Sequence, residues 1–353
     1  MHILYGVQAT GQGHISRARA MSAALARQNV QVTWLFSGRP RDELFDMEPF
    51  GNYQHRRGLT FTTEAGQVQY GATILNNNPV QFIRDAARLD LSPFDLLVTD
   101  YEPIVAWAAK YSGRSCIGIG HQYAFGQDTP VSGSNWISKK IMNHFAPVDI
   151  PLGLHWLPYA DNVLPPILDL PSRPLSRSDH VLVYLPFEDQ GRITWLLQQI
   201  PDQRFIQYTK GPHSRVLDNV CLKPSSIATF KQDLASCYGV ICNTGFELIS
   251  ECLHWGKPVL TKPLARQMEQ LSNALALQQL GHARVVNELS IEKISSWLHT
   301  HSTTPSLHFP DVALVLAQWL ASTCQRPPEA LARELWRDTY HRMQFRLTQN
   351  QAA

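Results

Sequence analysis

The sequence predicts two doubly wound α/β domains of Rossmann-like type, facing one another across a cleft. Three observations carry this. The chain has 353 residues, more than one ordinary core and suited to two. Short apolar runs alternate with stretches of helical periodicity, the order that gives parallel strands joined by helical crossovers. The alternation stops at a proline-dense stretch, 162–174, and then restarts.

Taken in order, His2 to Val7 reads as a buried strand. His14 to Arg27 has Ile15, Ala18, Met21 and Leu25 at turn spacing and reads as a helix. Val30 to Phe36 is a strand, Pro79 to Leu89 a helix, Leu96 to Thr99 a strand, Ile104 to Lys110 a helix and Ser115 to Gly120 a strand. Beyond the prolines, strands are expected at Val181 to Leu185, Arg204 to Tyr208, Val220 to Leu222, Gly239 to Cys242 and Pro258 to Thr261. Helices are expected at Ile193 to Gln199, at Phe246 to Trp255, and at Met268 to Leu280, which should stop at Gly281. From Ser290 onward the signal is mostly helical. The division is a first domain over 1–162, a Pro-rich linker over 163–178 and a second domain over 179–325. A C-terminal helix over 326–353 is placed to pack back on the first domain.

Hydrophobic residues make up 44% and charged residues 17%, which marks the chain as globular. Its 31 basic and 29 acidic residues leave +2, so charge gives no case for nucleic acid as a partner. The six cysteines form no C-x-x-C pair and read as small buried hydrophobes of a reducing compartment. The opening residues carry no leader pattern, and no apolar run approaches the roughly 18 residues of a spanning helix. A cytoplasmic location is expected, with contact at the inner membrane face peripheral at most. The stretch Asn135 to Phe145 sets apolar residues at helical spacing beside two lysines. That pattern fits a membrane-facing helix or a core-facing one.

Two constellations carry chemistry. In the first, Gly11, Gly13 and His14 follow the first strand and open the first helix. Glycines there allow a tight turn and close approach of a ligand to the backbone, and free N–H groups favour an anion or polar acceptor. An imidazole at that mouth can take a proton near neutral pH. Asp100 ends the third strand at the same sheet edge and can orient His14; Glu102 is the rival carboxylate. A plain βα turn, with Asp100 capping the helix near Pro103, would use the same residues. The full dinucleotide fingerprint is missing, which speaks against a nicotinamide cofactor.

In the second, Asn243, Thr244 and Gly245 leave a strand and enter a helix at Phe246. Their N–H groups and the helix dipole suit a diphosphate. Glu247 and Glu251 share a helix face, where a carboxylate can accept both hydroxyls of a ribose. Glu269 and Gln270 open a later helix, where carboxylate and amide suit the vicinal diol of a sugar. Each of these is also an ordinary helix-surface residue type.

The run Asn243-Thr-Gly-Phe-Glu-Leu-Ile-Ser-Glu251, followed by Gly256-Lys-Pro-Val-Leu260, Glu269-Gln270 and Asn273-Ala274, resembles the donor-binding signature of GT-B glycosyltransferases. The pattern is similar to the MurG-like and UDP-glycosyltransferase-like families. Gly11-x-Gly-His-x-x-Arg-Ala18 and Thr99-Asp-Tyr-Glu-Pro103 further resemble the MJ1255-like glycosyltransferase group. The resemblance implies transfer of a sugar, in hexosyltransferase fashion, from a nucleoside diphosphate sugar of UDP type. Glu251 matches the ribose-binding glutamate, and Thr244, Gly245 and Phe246 the diphosphate-facing turn. Glu269 and Gln270 match the pair on the donor sugar. His14 and Asp100 stand where relatives carry a base and its partner. Two departures are visible. The glycine run before His14 is shorter than in the MurG type, and the tryptophan and histidine of the plant-type motif are missing.

The reaction expected is an inverting displacement with no cofactor beyond the nucleotide-sugar co-substrate. No D-x-D triplet of a metal-bridged donor site occurs in the chain. A lipid-linked acceptor and a polysaccharide are both compatible. A sugar-nucleotide hydrolase, a 2-epimerase and a non-catalytic nucleotide-sugar binder are the rival readings on the same fold.

Overall fold

Strand β1 (His2–Gln8) is apolar on both faces, with Ile3, Leu4, Tyr5 and Val7 all buried. Such a run belongs inside a parallel sheet covered on both sides. The first sheet has the order β3 (Gln54–His55), β2 (Gln31–Ser37), β1, β6 (Leu96–Asp100), β7 (Ile117–Gly120), β8 (Ile150–Leu154), β9 (Val163–Leu164), parallel throughout. The second has the order β12 (Arg215–Leu217), β13 (Val220–Pro224), β11 (Phe205–Thr209), β10 (Val181–Tyr184), β14 (Gly239–Asn243), β15 (Val259–Lys262), β16 (Arg284–Val285). Only its edge strand β12 runs antiparallel. A separate short hairpin joins β4 (Thr63–Glu64) to β5 (Gln67–Val68). The structure is a computed structural model. It describes the chain apart from residues 61–62, 65–66, 69–76, 127, 135–139, 141, 143, 171–175, 177, 212, 301–305 and 352–353.

Strand order reverses beside the first strand of each sheet, between β1 and β6 and between β10 and β14. Crevices for ligands open at the carboxyl ends of strands at such switch points. The loop after β1 carries Gly11 to His14, and β6 ends on Asp100; β10 ends on Tyr184 and β14 on Asn243. Both predicted constellations therefore lie at switch points.

The helices are α1 (Gln12–Leu25), α2 (Pro79–Ala87), α3 (Pro103–Ser112), α4 (Gln190–Gln198) and α5 (Ile227–Ser236). They continue with α6 (Phe246–Trp255), α7 (Met268–Leu280), α8 (Ile291–His299), α9 (Val312–Ala321) and α10 (Pro328–Gln351). Their ends follow from local chemistry. Asn78 accepts the Gln81 N–H ahead of α2, and Pro79 and Pro103 occupy first-turn positions that need no N–H. Gly281 takes φ 66° and closes α7.

Val105, Ala109 and Cys116 cover one face of the first sheet through Leu4, Leu35 and Leu97. Ile193, Leu197, Ile294 and Trp297 cover the outer face of the second. The inner faces share one continuous core, in which Ile15 and Met21 of α1 join Ile249 and Leu253 of α6 and Leu316 of α9. The two halves are thus fused at their base by apolar contact, with the cleft above.

Two boundaries differ from the sequence reading. The proline-dense stretch is not wholly a linker: β9 lies inside it, and Val163 to Ile167 are buried. β9 is an edge strand, where proline's missing N–H costs no ladder bond. Residues 171–175 and 177 of the stretch lie outside the described residues. The return to the first half also begins before 326, since α9 packs on α1. α10 follows it, and the Trp336 indole N–H donates to the Val163 carbonyl at 2.7 Å.

Most of the Asn135 to Phe145 stretch lies outside the described residues. Its last residue, Phe145, stacks on Tyr101. Among the described residues no helix is long and apolar enough to cross a membrane. All six cysteines are free, and Cys116, Cys237, Cys242 and Cys252 are buried.

Candidate active site

Tyr101, at φ 53°, turns the chain sharply at the end of β6 and separates two carboxylates. Glu102 becomes the cap of α3: it accepts the N–H groups of Ile104 at 2.9 Å and Val105 at 2.8 Å, and the Ser37 hydroxyl at 2.6 Å. The rival carboxylate is thereby committed to the scaffold, and Asp100 is left for the cleft. Its Oδ1 lies 2.8 Å from His14 Nδ1. Arg17, one turn along α1 from His14, binds the same carboxylate through Nε to Oδ2 at 2.9 Å and Nη2 to Oδ1 at 2.6 Å.

Burial alone would raise the Asp100 carboxyl, but Arg17 and His14 outweigh it and hold the group below the usual carboxylate range. An ionised Asp100 only accepts, so Nδ1 carries a proton, and in the neutral imidazole the lone pair is then on Nε2. Gln122 presents its amide nitrogen 3.5 Å from Nε2. Arg17 Nη2 also lies 2.9 Å from Nδ1; these two donors share Asp100 Oδ1.

α6 begins at the facing sheet edge, and no side chain caps its N-terminus. Its leading N–H groups are not all open, however. The Thr244 N–H donates to Gln270 Oε1 at 3.1 Å, and the Gly245 N–H to the Asn243 carbonyl at 2.8 Å. Gln270 Oε1 also accepts the Leu264 N–H at 3.0 Å, and the residue is buried. Gln270 Oε1 therefore ties two loops together, and only its NH2 remains for a sugar hydroxyl. Phe246 likewise turns inward. Its ring lies 3.9 Å and 6° from the His121 ring and 5.2 Å from Trp156, both from the first half. The side chain is a joint between halves, and only its N–H faces the helix end.

Gly13 and Glu247 bring α1 and α6 together. A Cβ on Gly13 would collide with the Glu247 carboxylate. Glu247 Oε1 in turn pairs with Arg17 Nη1. Gly11 differs: it caps α1 in extended conformation with open space beside its Cα.

A cavity lies beside this junction. Gln12, Gly13, Ser16 and Phe45 line it from the first half, and Tyr184, Tyr208, Phe230, Lys231, Glu247 and Glu251 from the second. Phe230 meets Tyr184 and Tyr208 edge-on at 5.3 and 5.0 Å. Glu251 is buried and pairs with Lys231. Glu269 stands apart, with Oε2 accepting the Gln122 amide at 3.0 Å across the cleft. Asn243 donates to Glu188 Oε1 and to the Lys262 carbonyl, each at 3.2 Å.

A family model described as glycosyl transferase family 1 matches residues 1–148 and 155–301. The chain belongs to this family. It is a glycosyltransferase, and it has the two-Rossmann-domain GT-B fold. UGT89C1 of Arabidopsis thaliana, solved with UDP, aligns with a TM-score of 0.60 at 11% identity, over 96% of this chain and 99% of its own. SnogD, a glycosyltransferase from Streptomyces nogalater, gives 0.53 at 16% identity over 94% and 98%. The SsfS6 glycosyltransferase of Streptomyces sp. SF2575, solved with thymidine diphosphate, gives 0.52 at 14% identity over 96% and 99%. At such identities the likeness shows the fold alone. No curated protein matches the chain in sequence.

In this glycosyltransferase the structure thus brings His14 to Asp100, Gly13 to the start of α6, and Glu251 into the cavity beside it. Three site residues were given no role in the sequence reading, although Arg17 stands in the Gly11 to Ala18 motif. Arg17 shares a helix face with His14 at i, i+3 spacing, which was a usable signal. Gln122 and Lys231 carried none, since neither sits in a motif.

Proposed function

We propose that this glycosyltransferase takes a uridine diphosphate sugar and transfers its sugar to an acceptor hydroxyl with inversion, without a bound metal. One observation carries the proposal. The amino ends of α1 and α6, one from each half, meet at Gly13 and Glu247, with the His14–Asp100 pair on one side and the Glu251 cavity on the other.

His14 Nε2 takes the proton of the acceptor hydroxyl as its oxygen attacks the anomeric carbon. Asp100 holds the ring and stabilises the imidazolium that forms. The bond from the anomeric carbon to the diphosphate oxygen breaks, and the leaving charge falls on the N–H groups of Phe246 onward and the α6 dipole. Glu251 accepts the pentose hydroxyls, and Tyr184, Tyr208 and Phe230 give the base an aromatic wall. Glu269 holds a sugar hydroxyl through the oxygen that Gln122 leaves free. Relatives of this fold were solved with UDP and with thymidine diphosphate. A carboxylate that accepts two hydroxyls favours ribose over deoxyribose, hence UDP.

The test is a thermal-shift and calorimetric comparison of UDP with 2′-deoxy-UDP, followed by product analysis with labelled UDP-sugars. UDP should raise the midpoint more than its deoxy analogue. Equal binding of the two, or release of free sugar with every acceptor tried, would reject the reading.

A further inference from the structure

Glu251 binds the Lys231 ammonium through Oε1 within the cavity. Asp169, from the segment joining the halves, lies 3.8 Å from the same ammonium and accepts the Ser16 hydroxyl at 3.3 Å. A row of carboxylate, ammonium and carboxylate therefore links the connecting segment to α5 and α6, with Lys231 and Glu251 lining the cavity and Asp169 behind them. This is no solvated surface pair: the side chains of Glu251 and Lys231 are 4% and 13% exposed.

We propose that Lys231 is a positioning residue of the donor site, fixing the charge and aim of Glu251 so that its second oxygen receives the pentose hydroxyls. The proposal rests on the reading of Glu251 given above. A lone carboxylate in such a place takes up a proton rather than stay charged. Burial pushes Glu251 up to about 7, Lys231 pulls it down, and Asp169 pushes it up again. Lys231 and Asp169 are the charges that act on it; Glu247, one turn back on α6, and the hydroxyls of Tyr184 and Tyr208 share the cavity, and Arg19 of α1 faces Asp169. Once protonated, Glu251 offers an O–H donor and fewer acceptor sites, and it loses one of the two hydroxyls. Lysine suits the task because it supplies a compact charge at the end of a flexible stem.

The experiment is calorimetric titration of the full chain with UDP from pH 6 to pH 9. It compares wild type, Lys231→Met, Lys231→Arg, Asp169→Asn and Glu251→Gln. The terminal phosphate of UDP itself titrates near ~6, and Glu251→Gln supplies that baseline. Wild-type affinity should rise with pH relative to the baseline and level off above about 7. Lys231→Met should bind about fivefold more weakly at pH 7, with the rise moved up by about one unit. Arginine keeps the charge and should return the rise to its wild-type pH, though with the fit of a bulkier group. Asp169→Asn should move the rise the opposite way, a shift that a packing defect would not produce and one that needs no folded Lys231→Met.

A Lys231→Met profile that overlays wild type, or a loss equal at every pH, overturns the inference. If Asp169→Asn moves the rise upward, it does the same. Should Glu251→Gln bind UDP as tightly as wild type, the pentose reading itself falls. A weak Glu251→Gln beside a normal Lys231→Met removes only the role of Lys231.

Discussion

Arg17 grips Asp100 with two N–H groups, at 2.9 and 2.6 Å, while His14 bonds the same carboxylate at 2.8 Å. The carboxylate thus holds one partner for structure and, on the proposed function, one for chemistry, and substitution separates them. His14→Ala removes only the proposed base. Its turnover should fall by about 10²- to 10⁴-fold, with UDP affinity and melting temperature little changed. Asp100→Asn loses the orienting charge and also leaves a buried guanidinium short of its partner. It should lose turnover and, on the order of 3 kcal/mol, stability as well. Steady-state kinetics beside denaturant unfolding read both; a stable Asp100→Asn would contradict the pairing.

Gly13 is set by a neighbour rather than by a turn, because a Cβ there meets the Glu247 carboxylate. Gly13→Ala should therefore push the Glu247 carboxylate off Arg17 and cost about 1 kcal/mol, with weaker UDP binding. Adding Glu247→Ala removes the obstacle and should return part of the loss. If Gly13→Ala alone binds and melts as wild type, the contact is slack.

The sheets were legible because parallel strands are continuous apolar runs, and Ile3 to Val7 or Val181 to Leu185 has no other use. His14 and Asp100 were legible because both follow strands that pair with one another, β1 and β6. What escaped was direction. Gln270 sits where a sugar-binding amide was expected, but its carbonyl bonds the Thr244 and Leu264 N–H groups, a choice made by packing that leaves its NH2 for a ligand. Phe246 was read for its N–H in the diphosphate turn; that its packed ring reaches across to His121 and Trp156 of the first half was not foreseen. Pro165 and Pro166 read as linker because proline breaks interior strands, but here they follow an edge strand and are buried. Lys231 was hidden in α5, a short helix whose Ile227, Phe230 and Leu234 spacing is diluted by polar residues.

Phe246 joins the halves through stacked rings, so its loss should be felt twice. Phe246→Ala empties a fully buried site beside His121 and Trp156 and should cost about 3–5 kcal/mol. Because both partners come from the first half, α6 should also lose its fixed approach to α1, and donor KM should rise. Urea unfolding and donor kinetics check the two effects. A variant that loses stability with unchanged donor KM would show that α1 and α6 are held by other contacts.

Glu102 predicts how stability changes with pH. Burial pushes its carboxyl up to about 7 from an ordinary 4.5, against the pull of Ser37, Val105, Ile104 and Arg56. As pH rises, the unfolded chain releases this proton first, so it binds fewer protons than the native state across that interval. Stability contributed by the group is complete below about 4.5, falls as pH rises toward about 7, and is level above it. The drop is on the order of 3 kcal/mol. Glu102→Gln removes the titration and should flatten this part of the profile. The same change puts an amide where one carboxylate oxygen accepted a backbone N–H, so the variant should be weaker than wild type at pH 5 by about 1–3 kcal/mol. Urea midpoints at pH 5 and pH 7.5 decide it: a variant with the wild-type slope would place the titrating group elsewhere.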